Sequence, residues 1–187
     1  MCIKQIINKY KRNEIKERIN KLASARSLGL CLIDDKLREG ISNFLILWNI
    51  FENELYNSDY SNERRNSREV YPVLSLNLHE SKVDLIYNYI RNRYKNHPKR
   101  IDGLNFRNRQ FDDNDKNFLV SSMNQNTPDV QTKLKCILIV VYRYRCSLFH
   151  GDKVISNENH KIQNLSNANA FLLECLEAKF QINNIKP

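Results

Sequence analysis

At 187 residues the chain is sized for one domain and leaves little room for two; a chain of that length buries about 70% of its unfolded surface and needs neither disulfide nor metal to hold a core. Its four Gly and four Pro exclude collagen-like and linker-rich designs and argue against a turn-dense β-sandwich, and no run of about 20 apolar residues offers a membrane-spanning helix. The net charge of +9 points to an anionic partner, nucleic acid above all, against the plainer alternative of a solvated basic surface.

Along the chain, apolar residues recur mainly at helical spacing. Met1 to Tyr10 reads as a short amphipathic stretch carrying Lys4 and Lys9, not a signal peptide. Ile3, Ile6, Ile7 and Tyr10, then Ile15, Ile19 and Leu22, predict a first helical region, with Glu14–Arg18 and Glu17–Lys21 pairs on its outer face. A second helix is expected from Lys36 to Tyr56, turning Ile41, Phe44, Leu45, Trp48, Phe51 and Leu55 inward. Residues 57–78 are polar and irregular, a long connection for a compact domain. A third helix is expected over 81–96, with Val83, Ile86, Ile90 and Tyr94 on one face and Pro98 helping to stop it.

Residues 98–112 read as a second long loop, basic through Lys99, Arg100, Arg107 and Arg109 and interleaved with Phe106 and Phe111; a short helix follows over 113–123. Thr127 as N-cap, Pro128 at the first helical position and Asp129 at the positive end of the helix dipole then open the most apolar helix of the chain. It carries Leu134, Cys136, Ile137, Leu138, Ile139, Val140 and Val141, is apolar nearly all round and should be central; Gly151 ends it. The β-branched run 137–141 would also suit a buried strand, but the capping signals and the length favour helix. A last helix over 164–180 turns Leu165, Leu172, Leu176 and Phe180 inward. The expected fold is therefore a single all-α domain over 1–187, an antiparallel bundle of about five main helices.

The five cysteines are odd in number and lack any CxxC spacing, as reduced thiols of a cytoplasmic protein would. No Cys or His pair has zinc-ligand spacing, and no Gly-rich phosphate loop or Ser/His/Asp arrangement is visible, so no metal and no cofactor is expected.

The informative departure lies near the end of the central helix. Its inward seam runs Leu134, Leu138, Val141, Arg145, Leu148, in steps of 4, 3, 4 and 3, and puts a guanidinium where an apolar side chain belongs. Such a charge costs stability unless it is paired or partly solvated, so a break in the pattern marks a candidate site. His150 follows five positions on, beside Gly151. An imidazole near neutrality can take a proton from a ribose 2′-hydroxyl or give one to a leaving oxygen, and a guanidinium can hold the phosphate and its developing charge. One His does not readily serve as both acid and base, so two copies of the site across a dimer would complete the set. The helix over 36–56 has a seam of the same form, Ile41, Leu45, Trp48, Glu52, Leu55, which sets Glu52 inward as a partner for Arg145; the alternative is that Glu52 lies at the edge of its stripe, in solvent. Arg93, Arg100, Arg107 and Arg109, with Arg143 and Lys153 flanking the motif, are the candidate RNA-binding cations, against a merely solvated basic face.

A long apolar helix ending in Arg145-Cys146-Ser147-Leu148-Phe149-His150-Gly151, second from last in an all-α chain, resembles the HEPN superfamily, whose signature is Arg, a polar residue, a few positions and His. The likeness is strongest over 128–180 and reaches more loosely to Trp48-x3-Glu52-x2-Leu55. It implies a helical bundle, homodimerisation that brings two Arg/His pairs together, and metal-independent endoribonuclease activity, with service in toxin–antitoxin or anti-phage systems beside an antitoxin or another defence partner. Cys146 stands where the family usually has Asn or Asp, and Asp152 stands where the nucleotidyltransferase-paired toxins have Tyr. A second match, Arg91 to His97, has Asn after its Arg but neither the apolar helix before it nor the Gly after it, and reads as a decoy. The competing expectation is a binding module that uses the same surface to hold RNA or a nucleotide, or to regulate a partner, and breaks no bond.

Overall fold

Helices form where apolar residues repeat every three or four positions, and the capping residues set where they begin. The computed structural model describes residues 35–56, 73–106, 110–149 and 159–180. In chain order these hold α1 (Asp35–Tyr56), α2 (Glu80–Tyr94), α3 (Pro98–Asp102), α4 (Gln110–Met123), α5 (Val130–Phe149) and α6 (Asn159–Phe180). The architecture is an all-α helical bundle, with no strand among the described residues. The helical region expected over 3–22 and most of the 57–78 connection lie outside them.

Several boundaries differ from expectation, α4 among them, which starts at Gln110 and not 113. The central helix is capped by Asp129 and not Thr127: the Asp129 carboxylate accepts the Thr132 N–H at 2.7 Å and its backbone carbonyl takes the first helical bond, from Lys133, at 3.0 Å. The hydrogen bonding of Thr132 to that carboxylate holds its pKa below the usual Asp value. The expected loop over 98–112 contains α3, which Pro98 opens at a first-turn position. α6 begins at Asn159, five residues before the expected start, because Ile162, one turn ahead of Leu165, already packs against the core.

α5 is central. Every residue from Cys136 to Val141 is buried, and burial pushes the Cys136 thiol up to about 12. α1 contributes Leu37, Phe44, Trp48, Phe51 and Tyr56 to the core, with Ile41, Leu45 and Leu55 half-buried beside them. The Trp48 ring lies 6.3 Å from Phe44, 5.6 Å from Phe51 and, across to α5, 6.0 Å from Tyr142.

Polar ties fix the helix directions. Lys133 meets Asp84 at 2.7 Å and the Tyr94 and Tyr144 hydroxyls meet at 2.9 Å, so α2 and α5 run the same way. Glu174 on α6 accepts the His79 N–H at 3.1 Å and pairs with Lys82, while the Tyr89 hydroxyl donates to Asn164 at 2.8 Å, so α6 runs against α2. Asn169 on α6 donates to the Gly40 carbonyl at 3.1 Å. With Trp48 beside Tyr142, this sets α1 antiparallel to α6 and parallel to α5. α4 runs against α5: Asp112 meets Arg143 near its start, and Lys135 lies over the Phe118 ring further along.

Candidate functional site

The last turns of α5 change character. From Cys136 to Val141 the helix is buried and apolar; from Tyr142 to Leu148 it mixes buried and half-buried residues, and Arg145 is half-buried within that stretch. The expected seam is present: Leu134, Leu138 and Val141 are buried, with Leu148 half-buried beyond Arg145. On α1, Glu52 is half-buried and accepts the Trp48 indole N–H at 3.0 Å. Trp48 lies against Tyr142; Glu52 follows one turn after the first and Arg145 one turn after the second. His150 and Lys153 lie outside the described residues, as do Arg107 and Arg109.

Arg143 is not where an RNA-binding cation would be. Its side chain is 3% exposed. Nε donates to the Leu104 carbonyl at 3.1 Å, Nη1 meets the equally buried Asp112 carboxylate at 3.1 Å, and Nη2 donates to the Asn105 carbonyl. The guanidinium also sits 5.0 Å from the centroid of Phe106, which removes that ring from the expected base-stacking surface. Asn105 takes a left-handed backbone conformation, φ 56°, which Asn tolerates better than most residues. The physical reason for the correction is the approach of α4 and of Leu104 to Phe106, which cover the side of α5 that Arg143 occupies; a charge enclosed there must find its partners inside. That rule, together with two aspartates at the start of α4, was the available signal for the Arg143–Asp112 pair, which sequence reasoning missed.

The remaining candidates separate by role. Arg91 caps the C-terminal end of α4, with Nε donating to the Met123 carbonyl at 3.0 Å and Nη2 to the Gln125 carbonyl at 2.9 Å, a structural role for the decoy match. Arg93 and Arg100 do share one place. Arg100 Nη1 donates to the Arg93 carbonyl at 3.2 Å, and both charges act on the hydroxyls of Tyr89 and Tyr94. Burial nonetheless raises the pKa of Tyr89, Tyr94 and Tyr144, the last well above the usual phenol range.

Among the described residues no three His, Cys, Asp or Glu side chains cluster as a metal site requires, and no helix is long and apolar enough to cross a membrane. No family model, no curated protein and no solved structure matches the chain.

Proposed function

We propose that the protein is a metal-independent endoribonuclease of the HEPN type, active as a cytoplasmic homodimer, with Arg145 and His150 as its active pair and Glu52 as the carboxylate that positions Arg145. One observation carries the reading: a half-buried arginine stands in the last turns of the central helix, and His150-Gly151 follows at the helix end in sequence; half-buried Glu52 comes one turn after Trp48, whose ring meets Tyr142 of that helix.

In this chemistry His150 of one copy takes the proton of a ribose 2′-hydroxyl. The 2′-oxygen attacks phosphorus, the P–O5′ bond breaks, and the other copy's imidazole protonates the departing 5′-oxygen. Arg145 stabilises the charge that builds on the phosphoryl oxygens. The products are a 2′,3′-cyclic phosphate and a 5′-hydroxyl, and no metal enters the balance. A nuclease of this kind suits a toxin or anti-phage effector restrained by an antitoxin or another defence-system partner.

A second reading has its own observation. Cys146, half-buried beside Arg145, stands where the resembling family usually carries Asn or Asp, which favours a module that binds RNA or a nucleotide and regulates a partner without cleaving. Incubating purified protein with mixed RNA in EDTA separates the two. The nuclease reading expects cleavage that leaves 2′,3′-cyclic phosphate ends and falls at least about 10²-fold in His150→Ala and in Arg145→Ala. A metal requirement, or full activity in His150→Ala, overturns it.

A further inference from the structure

Two arginines meet at the end of the bundle where α2 and α5 both finish. Arg93 lies in the last turn of α2, and Arg100, on α3, folds back to donate Nη1 to the Arg93 carbonyl at 3.2 Å. Among the described residues, no carboxylate sits on either guanidinium; the Arg93 side chain hydrogen-bonds the Tyr94 hydroxyl, while its buried Nε has no acceptor. The Arg93 guanidinium carbon lies 5.6 Å from the centroid of the Tyr94 ring. The Tyr94 hydroxyl in turn meets that of Tyr144, the residue next to Arg145. Tyr89, one turn before Arg93, completes the group and ties it to α6 through Asn164.

Such an arrangement is costly as it stands. Two like charges act on the same tyrosine hydroxyls, the exposed Arg100 in solvent and Arg93 half-buried, and a buried N–H without an acceptor carries the penalty of its desolvation. The carbonyl end of α2 offsets part of the charge but leaves that N–H without a partner. An anion with several acceptor oxygens answers both deficits at once, and two planar guanidinium forks match the geometry of a phosphate.

We propose that Arg93 and Arg100, walled by Tyr89, Tyr94 and Tyr144, form a phosphate-binding subsite that holds a backbone phosphate of RNA at the end of the bundle carrying Arg145. The inference rests on the RNA reading of the protein and adds to it where the strand is gripped. Binding here needs no bond cleavage, so it applies equally to the nuclease and to the binding module.

The test is binding of a single-stranded 2′-O-methyl RNA 12-mer, which lacks the attacking hydroxyl, followed by fluorescence anisotropy across a salt series. Arg93→Gln/Arg100→Gln should weaken binding about tenfold or more. It should also lower the slope of log affinity against log salt by about 0.7, one phosphate's worth on a single strand. Arg100→Gln alone alters an exposed side chain, so a partial loss in that variant is read without concern for folding. Lys133→Gln, about 15 Å further back along the bundle by helix rise, removes one charge elsewhere and should leave the slope unchanged. If wild type and the double variant bind with the same affinity and slope, the subsite is wrong and the RNA reading stands. If wild type does not bind the 12-mer at all, the subsite and the RNA reading both fall. A loss as large in Lys133→Gln as in the double variant shows diffuse charge attraction and overturns the subsite alone.

Discussion

Arg143 and Arg145 are two positions apart on one helix and do different things. The first is enclosed; its carboxylate partner, the Leu104 and Asn105 carbonyls and the Phe106 face together fix the strand of chain between α3 and α4 against α5. Removing one member leaves a buried charge alone, so Arg143→Ala and Asp112→Ala should each destabilise by about 3–5 kcal/mol in urea unfolding. Arg143→Ala/Asp112→Ala should lose less than the two singles added, because it leaves no orphan charge, and strict additivity would show that the pair is not coupled. Arg145, by contrast, is half-buried, and substituting it should show in RNA cleavage far more than in stability. A composition count cannot tell these two residues apart. What separates them is which side of α5 each occupies and what α4 brings to that side.

At the scale of elements, α2 depends on a residue far away in sequence. Its N-cap, His79, makes no side-chain capping bond; the Glu174 carboxylate, 3% exposed on α6, accepts the His79 N–H and pairs with Lys82 in the first turn. Burial alone would raise the Glu174 pKa, but the Lys82 ammonium and the His79 N–H outweigh it, and the net direction is down. A carboxyl lowered in the folded state stabilises fully above its unfolded value, about 4.3, and loses that contribution as pH falls through the folded value. Glu174→Gln should therefore cost about 1.5–3 kcal/mol at pH 7, the worth of hydrogen bonds to a charged group, and the gap to wild type should close towards pH 3. A pH-independent gap in urea unfolding would contradict this. The helices themselves were largely legible, since the apolar stripes of α1, α2 and α5 place Phe44, Trp48, Val83, Ile90 and Leu138 in the core as their spacing requires. Less legible was anything set by partners distant in sequence. Glu174 looks like one more charge on a surface helix until α2 is packed beside it, and α3 sits in a basic stretch whose helicity comes from Pro98 and the turn after His97. Of the candidate site, Arg145 and Glu52 are both half-buried, as positions at the margin of an apolar stripe are, whereas the enclosure of Arg143 needed the approach of α4.

For the whole molecule, the proposed chemistry requires two imidazoles and the chain supplies one motif, so assembly is part of the activity. Light scattering at micromolar concentration should report a dimer, and a twofold arrangement would bring the same face of each copy together. Adding His150→Ala chains to wild type should depress cleavage by more than dilution; a monomer that still cleaves RNA would refute the two-copy mechanism. The parallel course of α1, α2 and α5 has a separate consequence, for the time the chain takes to fold. Neighbours that point the same way cannot be joined by a tight turn, so the tie between α2 and α5 spans 50 residues, from Tyr94 to Tyr144; the antiparallel contacts of α6 are more distant still, 92 residues between Lys82 and Glu174 and 129 between Gly40 and Asn169. Loop closure grows only logarithmically, so the longest of these costs about 0.8 kcal/mol more than the shortest, and equilibrium stability hardly registers the difference. The folding rate does register it, because distant contacts must be found before they are rewarded. Helical in content but non-local in wiring, this chain should refold more slowly than an up-and-down bundle of equal length, at a tempo closer to that of mixed α/β domains.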